Sequence, residues 1–330
     1  MKGIVLLALL GLAACGSPAA PRDDTTPTPP FPSLSQANLL EHLGALADDS
    51  MAGRQAGSSQ ETQAAAYLRD HFMAYGLGPG TPGYLQHFQL QQGRTSQNVL
   101  AILPGHGRLA RQWIVIGAHY DHVGFTQIGP DSVLVYNGAD DNASGTALLL
   151  EIARSMSAHV AGGNMAGVDR RSVMFQAYGA EELGLVGSTF FCGHPTISMD
   201  SVAAMVNLDM VGRYAQNGLW TIGSTSSADW LTVLDDAGAG RLTIHHDNIQ
   251  LLGASDQYCF FMARKPVLFF HTGLHGEYHT PRDDVALIDT DGMVTVGSLA
   301  TRVLTQLLAR ETPPTFSAPL PSNLAAKQGH

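Results

Sequence analysis

Basic residues are scarce in this 330-residue chain: 18 Lys and Arg stand against 28 Asp and Glu, for a formal charge of -10. No Lys or Arg cluster is long enough to follow a phosphate backbone, so nucleic acid is excluded as a partner on electrostatic grounds. Cysteine is almost absent, with three residues, one of them Cys15 at the end of the amino-terminal apolar run. The other two, Cys192 and Cys259, could pair in an oxidising envelope, but sequence does not show whether their Cα atoms come close enough, and they are taken as unpaired by default. No internal repeat is visible. Charged residues make up only 14% of the chain and hydrophobic ones 45%, a balance that excludes disorder for the bulk and supports a sizeable core.

What is present begins with an address. Residues 1–15, MKGIVLLALLGLAAC, carry one basic residue, an apolar run too short to span a bilayer comfortably, and small residues before Cys15. That is the pattern of a secretion signal over 1–14, and Leu12-Ala13-Ala14-Cys15 resembles the bacterial lipobox, in which the cysteine is acylated. The resemblance implies an exported protein of the bacterial cell envelope, held to a membrane through lipidated Cys15. Six of the 17 prolines fall between Pro18 and Pro32, so 15–33 is expected to form an extended tether. The body is expected over 34–312, with a flexible tail over 313–330.

Within the body, apolar residues recur at helical spacing in Leu39, Leu40, Leu43 and Leu46, and again in Ala65, Leu68, Phe72 and Leu77, which predicts two surface helices. Short apolar runs at 98–103, 113–118, 172–177, 203–208 and 266–270 read as strands. The stretches 145–156 and 293–309 read as further helices. Strands alternating with helices predict an α/β fold: a mixed, largely parallel sheet with helices on both faces, because parallel neighbours need crossover connections.

The polar clusters follow these apolar runs, where open α/β sheets place their ligands. His119-Tyr120-Asp121 follows one run, and Asn137-Gly138-Ala139-Asp140-Asp141-Asn142-Ala143-Ser144-Gly145 opens a helix. Glu181-Glu182, Asp209 and Tyr278-His279-Thr280-Pro281 follow three others. A single histidine or acidic pair at such a place is ordinary surface chemistry. Several carboxylates converging on one crevice would repel each other and suffer desolvation unless a cation neutralised them, so metal is the simplest explanation.

The ordered set of His119-x-Asp121, Gly138 to Gly145, Glu181-Glu182, Asn207-Leu208-Asp209-Met210 and Tyr278-His279-Thr280-Pro281 resembles the zinc aminopeptidases of the M28 type, related to bacterial leucyl aminopeptidases. The resemblance implies the zinc-dependent exopeptidase fold, two zinc ions per chain and peptide substrates with a free amino terminus. It implies that His119, Asp141 and Asp209 hold one zinc and that Asp141, Glu182 and His279 hold the other. Asp141 would bridge, with Asp140 as runner-up. Glu181 would be the general base. Asp121 would accept a hydrogen bond from the far nitrogen of His119, and Tyr278 would hydrogen-bond the oxyanion or simply pack.

Gln257 and Cys259 depart from the family pattern, which more often has histidine and proline there, and this bears on the pocket. Asp256 is expected to support the site, His122, His271 and His275 to be structural neighbours, and Arg213 to contact substrate or close a salt bridge. Two alternatives stand beside hydrolysis: a glutaminyl-cyclase-like acyl transfer on the same fold, and a metal-stabilised binding domain without catalysis.

Overall fold

In the computed structural model the described residues are 33–246 and 249–319. The expected signal segment, Cys15 and almost all of the expected tether lie outside the described residues, as do 320–330.

The strands are β1 (Gly78–Pro79), β2 (Leu85–Gln89), β3 (Thr95–Leu103), β4 (Trp113–His119), β5 (Phe125–Gly129), β6 (Ser132–Val135), β7 (Ser172–Tyr178), β8 (Val202–Leu208), β9 (Leu219–Ile222), β10 (Ile244–His246) and β11 (Val267–His271). The helices are α1 (Gln36–Leu46), α2 (Ser59–Ala74), α3 (Gly145–Ala161), α4 (Val186–Gly193), α5 (Tyr214–Asn217), α6 (Trp230–Asp236), α7 (Gln257–Met262) and α8 (Thr290–Ala309). Strands β5 and β6 form a separate hairpin. The others make one sheet in the order β1-β3-β7-β4-β8-β11-β9-β10, with β2 also paired to β3.

The centre of the sheet is parallel: β4 pairs with β7 and β8, and β8 with β11. Every residue of β7, β8 and β11 is buried, as expected of parallel strands covered on both faces. The flanks are antiparallel, at β3 on β7 and β9 on β11. The sheet is therefore mixed: its central parallel strands carry the polar clusters, and a second parallel pair, β9 with β10, lies at one edge.

Alternation along each strand separates two cores. Ile114, Ile116, Val206 and Phe270 face α1, α2, α3 and α8. Val115, Met205, Val267 and Phe269 face the other way, toward Phe191 of α4 and Phe260 and Phe261 of α7.

Two expectations are corrected here. Cys192 and Cys259 form a disulfide, with Cα atoms 6.2 Å apart. They are 67 residues apart in sequence, and the packing of α4 beside α7 brings them together. The tail from 313 is not loose over 313–319: the Phe316 ring packs edge-on against Phe261 at 5.3 Å, and Ser317 N–H donates to the Ser226 carbonyl at 2.9 Å. An aromatic side chain within a proline-punctuated stretch found an apolar partner.

The entry to α2 has its own consequence for stability. Ser58 caps the helix, accepting from Glu61 N–H at 3.0 Å. Glu61 is fully buried, and its carboxyl accepts from Gly57 N–H at 2.6 Å and pairs with the Ser96 hydroxyl at 2.5 Å. Burial, with Asp121 adding, pushes its pKa up to about 8. The folded state therefore holds a proton that the unfolded chain releases near the ordinary glutamate value. The stability this contributes is present at low pH and declines as pH rises toward 8, by at most about 1.4 kcal/mol per pH unit. Glu61→Gln, which mimics the protonated acid, is expected to gain in Tm relative to the unsubstituted protein as pH rises from 5 to 8; parallel Tm profiles would remove Glu61 from the account.

Candidate metal centre

Each cluster follows a parallel strand of the central sheet or opens the helix behind it. His119 ends β4, Glu181 and Glu182 follow β7, Asp209 follows β8, and Tyr278 and His279 lie in the loop after β11. Asp141 belongs to the turn before α3. The turns are tightly bent. Ala180, Met210 and His279 all take left-handed φ, near 56°, 54° and 53°, which non-glycine residues adopt at a cost. Gly138 has φ 55°, and a Cβ there would come within 2.2 Å of the Asp141 carbonyl oxygen, so only glycine lets this loop close.

The side chains converge on two groups that share one residue. His119 Nε2 lies 3.3 Å from Asp141 Oδ1 and 3.4 Å from Asp209 Oδ1. His279 Nε2 lies 2.9 Å from Asp141 Oδ2 and 3.1 Å from Glu182 Oε2. The candidate ligand atoms of each group lie within 4.8 Å of one another. The two oxygens of Asp141 thus face different groups, whereas Asp140 points away, accepting from Gly212 N–H at 2.7 Å and meeting His275 Nε2 at 3.1 Å.

His122, set aside in the sequence as a structural neighbour, stands in the second group, its Nδ1 2.8 Å from Glu182 Oε1. Its place three residues after His119 was the available signal.

The electrostatics are those of carboxylates short of positive charge. Burial pulls the His119 imidazolium down, but Asp209, Glu181 and the bond to Asp141 outweigh it and raise its pKa well above the ordinary value. His279 is pushed up to about 10 by its bonds to Asp141 and Glu182. Asp141 and Glu182 are lowered, their histidine partners overcoming the cost of burial. Protons on the histidines do here what a cation would do. The nitrogen and carboxylate donors suit zinc, and metal binding would release those protons. Glu181 is different: burial raises its pKa well above the carboxylate range, against the pull of His119.

Asp121 approaches the far nitrogen of His119 as expected, but at ion-pair and not hydrogen-bond distance, its Oδ1 3.8 Å from His119 Nδ1. Its carboxylate accepts from Glu181 N–H at 2.9 Å and Glu182 N–H at 3.3 Å, while His119 Nδ1 donates to the Asp121 backbone carbonyl at 3.3 Å. The His119 ring is still oriented, by backbone, and the carboxylate instead holds the turn that presents both glutamates.

Tyr278 is 39% exposed and stacks on His279 with ring centroids 3.9 Å apart. Asp256 is fully buried and pushed up to about 7 by burial. Gln257 accepts from Asn207 Nδ2 at 3.0 Å and donates to the Leu252 carbonyl at 2.8 Å, so this departure from the family pattern braces the end of β8. Cys259, the other departure, is in the disulfide. Arg213 is 2% exposed and within 3.9 Å of Asp140, Glu277 and Asp283, which selects the salt-bridge reading for it.

Two supporting residues were missed. Asp283 accepts from the N–H groups of Asp140 and Asp141 at 3.0 Å and so sets the height of Asp141; an acid four residues after His279 was its only signal. Arg54 is fully buried and donates to the carbonyls of Tyr120, Asn137, Gly138 and Leu46, tying together the loops that carry His119 and Asp141.

A central sheet bearing a histidine–carboxylate cavity at the carboxyl ends of its parallel strands defines a metal-site α/β protein. More particularly, the chain belongs to peptidase family M28, whose family model matches residues 98–304 and so spans every candidate ligand. The aminopeptidase YwaD of Bacillus subtilis is 27% identical over 230 residues, which cover 67% of this chain and 47% of that protein. The chain spans about half the length of the curated relatives it matches. A solved zinc aminopeptidase from Bacillus subtilis shares the fold, with a TM-score of 0.68 at 17% identity over 88% of this chain and 99% of that one. So does Porphyromonas gingivalis glutaminyl cyclase, with a TM-score of 0.65 at 19% identity over 83% and 99%.

Proposed function

We propose that this protein hydrolyses the amino-terminal peptide bond of peptides at a pair of zinc ions, held by His119, Asp141 and Asp209 on one side and by Asp141, Glu182 and His279 on the other. The observation that carries the reading is the Asp141 carboxylate, whose two oxygens face two separate histidine–carboxylate groups. Asp141, Glu181, Glu182 and Asp209 border one cavity, and two divalent cations would neutralise those four carboxylates.

Bound zinc supplies Lewis acidity toward the scissile carbonyl and a water molecule. The residues do the rest. Glu181 accepts the proton of the attacking water and passes it to the leaving amine nitrogen as the C–N bond breaks; its raised pKa suits a group that must both take and return a proton. Asp121 holds the backbone of that turn, and His122 holds Glu182. Tyr278, beside His279 and partly exposed, donates its hydroxyl proton to the developing oxyanion. The free α-amine of the substrate meets the surrounding carboxylates, which fixes the first carbonyl next to Glu181.

Acetylating that amine removes its charge and adds bulk where the cavity ends. A free-amino dipeptide or aminoacyl anilide is expected to be cleaved at least about 100-fold more efficiently than its N-acetylated counterpart, a difference of roughly 2.7 kcal/mol. Equal kcat/KM for the two would make the protein an endopeptidase or another amidohydrolase. Release of pyroglutamyl product from a glutaminyl peptide, without hydrolysis, would make it a cyclase.

A further inference from the structure

The cavity that the candidate metal ligands border is completed by Met210, Leu251, Phe269, Leu274 and Tyr278, and His271, at the end of β11, adds a polar ring to that wall. Strand alternation puts His271 on the same side as Phe269, with ring centroids 5.3 Å apart. The residue is 4% exposed.

Its Nδ1 lies 2.9 Å from the backbone carbonyl oxygen of Asp209. A carbonyl oxygen can only accept, so Nδ1 carries hydrogen, and in the neutral ring Nε2 carries the lone pair; the tautomer is assigned from this partner. Nε2 has no hydrogen-bond partner among the described residues, and His271 is one of the residues that line the cavity. The contact that fixes the ring also ties it to Asp209, which places the imidazole beside the metal groups.

We infer that this cavity receives the side chain of the peptide's first residue and that His271 Nε2 hydrogen-bonds a hydroxyl or primary amide on it. The inference rests on the aminopeptidase reading and adds the substrate class: peptides beginning with a hydroxyl- or amide-bearing residue, such as Thr or Asn, over those beginning with an aliphatic residue of the same shape. A site that offers a buried acceptor discriminates against the isostere lacking the donor, because the acceptor is then left unpaired. A hydroxyl satisfies the ring in either protonation state, since it both donates and accepts.

The test compares kcat/KM on two shape-matched pairs of anilides, Thr against Val and Asn against Leu, for the zinc-loaded protein and for His271→Phe, which keeps a ring in place. Any disturbance of Asp209 affects both members of a pair equally and cancels in the ratio. The polar-to-aliphatic ratio is expected to fall at least about tenfold in His271→Phe for the pair whose donor reaches the ring. Unchanged ratios for both pairs overturn the inference. If the variant does not fold, binding to the unsubstituted zinc-loaded protein decides instead: free threonine or asparagine binding more tightly than valine or leucine supports it, and equal or weaker binding overturns it. Failure to hydrolyse any of the four anilides sinks the aminopeptidase reading separately, and the same binding comparison still judges the pocket.

Discussion

Asp141→Asn is expected to lose zinc from both positions and at least about 1,000-fold in kcat/KM. The side chain is 3% exposed, and its two oxygens lie 3.3 Å from His119 Nε2 and 2.9 Å from His279 Nε2. An asparagine keeps one carbonyl acceptor and turns an N–H₂ group toward the other position, so one metal loses a ligand and meets hydrogens while both lose the negative charge. The fold should survive, because the backbone N–H of residue 141 still donates to Asp283. His119→Ala should instead weaken chiefly the position it shares with Asp209. Metal content by elemental analysis, with near-ultraviolet circular dichroism as the folding control, checks both. Two zinc ions retained by Asp141→Asn would remove its bridging role.

Glu181→Gln should separate catalysis from metal binding. The side chain borders the cavity but belongs to neither ligand group, and residue 181 would still donate its backbone N–H to Asp121. Zinc content is therefore expected to stay at the level of the unsubstituted protein while kcat falls by about 100- to 10,000-fold, the range that general acid–base catalysis contributes. Undiminished kcat would take Glu181 out of the mechanism. Loss of zinc together with activity would instead make it a ligand.

The contrast between these two residues bears on what a sequence reveals. The runs that became β4, β7, β8 and β11 are buried on both faces, so they read as unbroken apolar stretches, and the clusters following them mark strand ends without any knowledge of topology. Asp141 could be preferred to Asp140 from its place before the small-residue turn, and the structure turns the two in opposite directions. Backbone-directed contacts were not legible. Nothing around Arg54 announces that its guanidinium reaches carbonyls 66 to 84 residues away, and the Asp121 carboxylate serves a turn 60 residues on. The Cys192–Cys259 pair needed α4 beside α7, and short strands such as β9 and β10 carry too few residues for a periodicity to register.

The central claim, that Asp141 joins two metal positions, is tested most directly by titrating the metal-stripped protein with zinc and following binding by calorimetry. The account predicts saturation at two zinc ions per chain, with protons released as His119 and His279 give up the charge they carry in the metal's place. Saturation at one zinc per chain would contradict it.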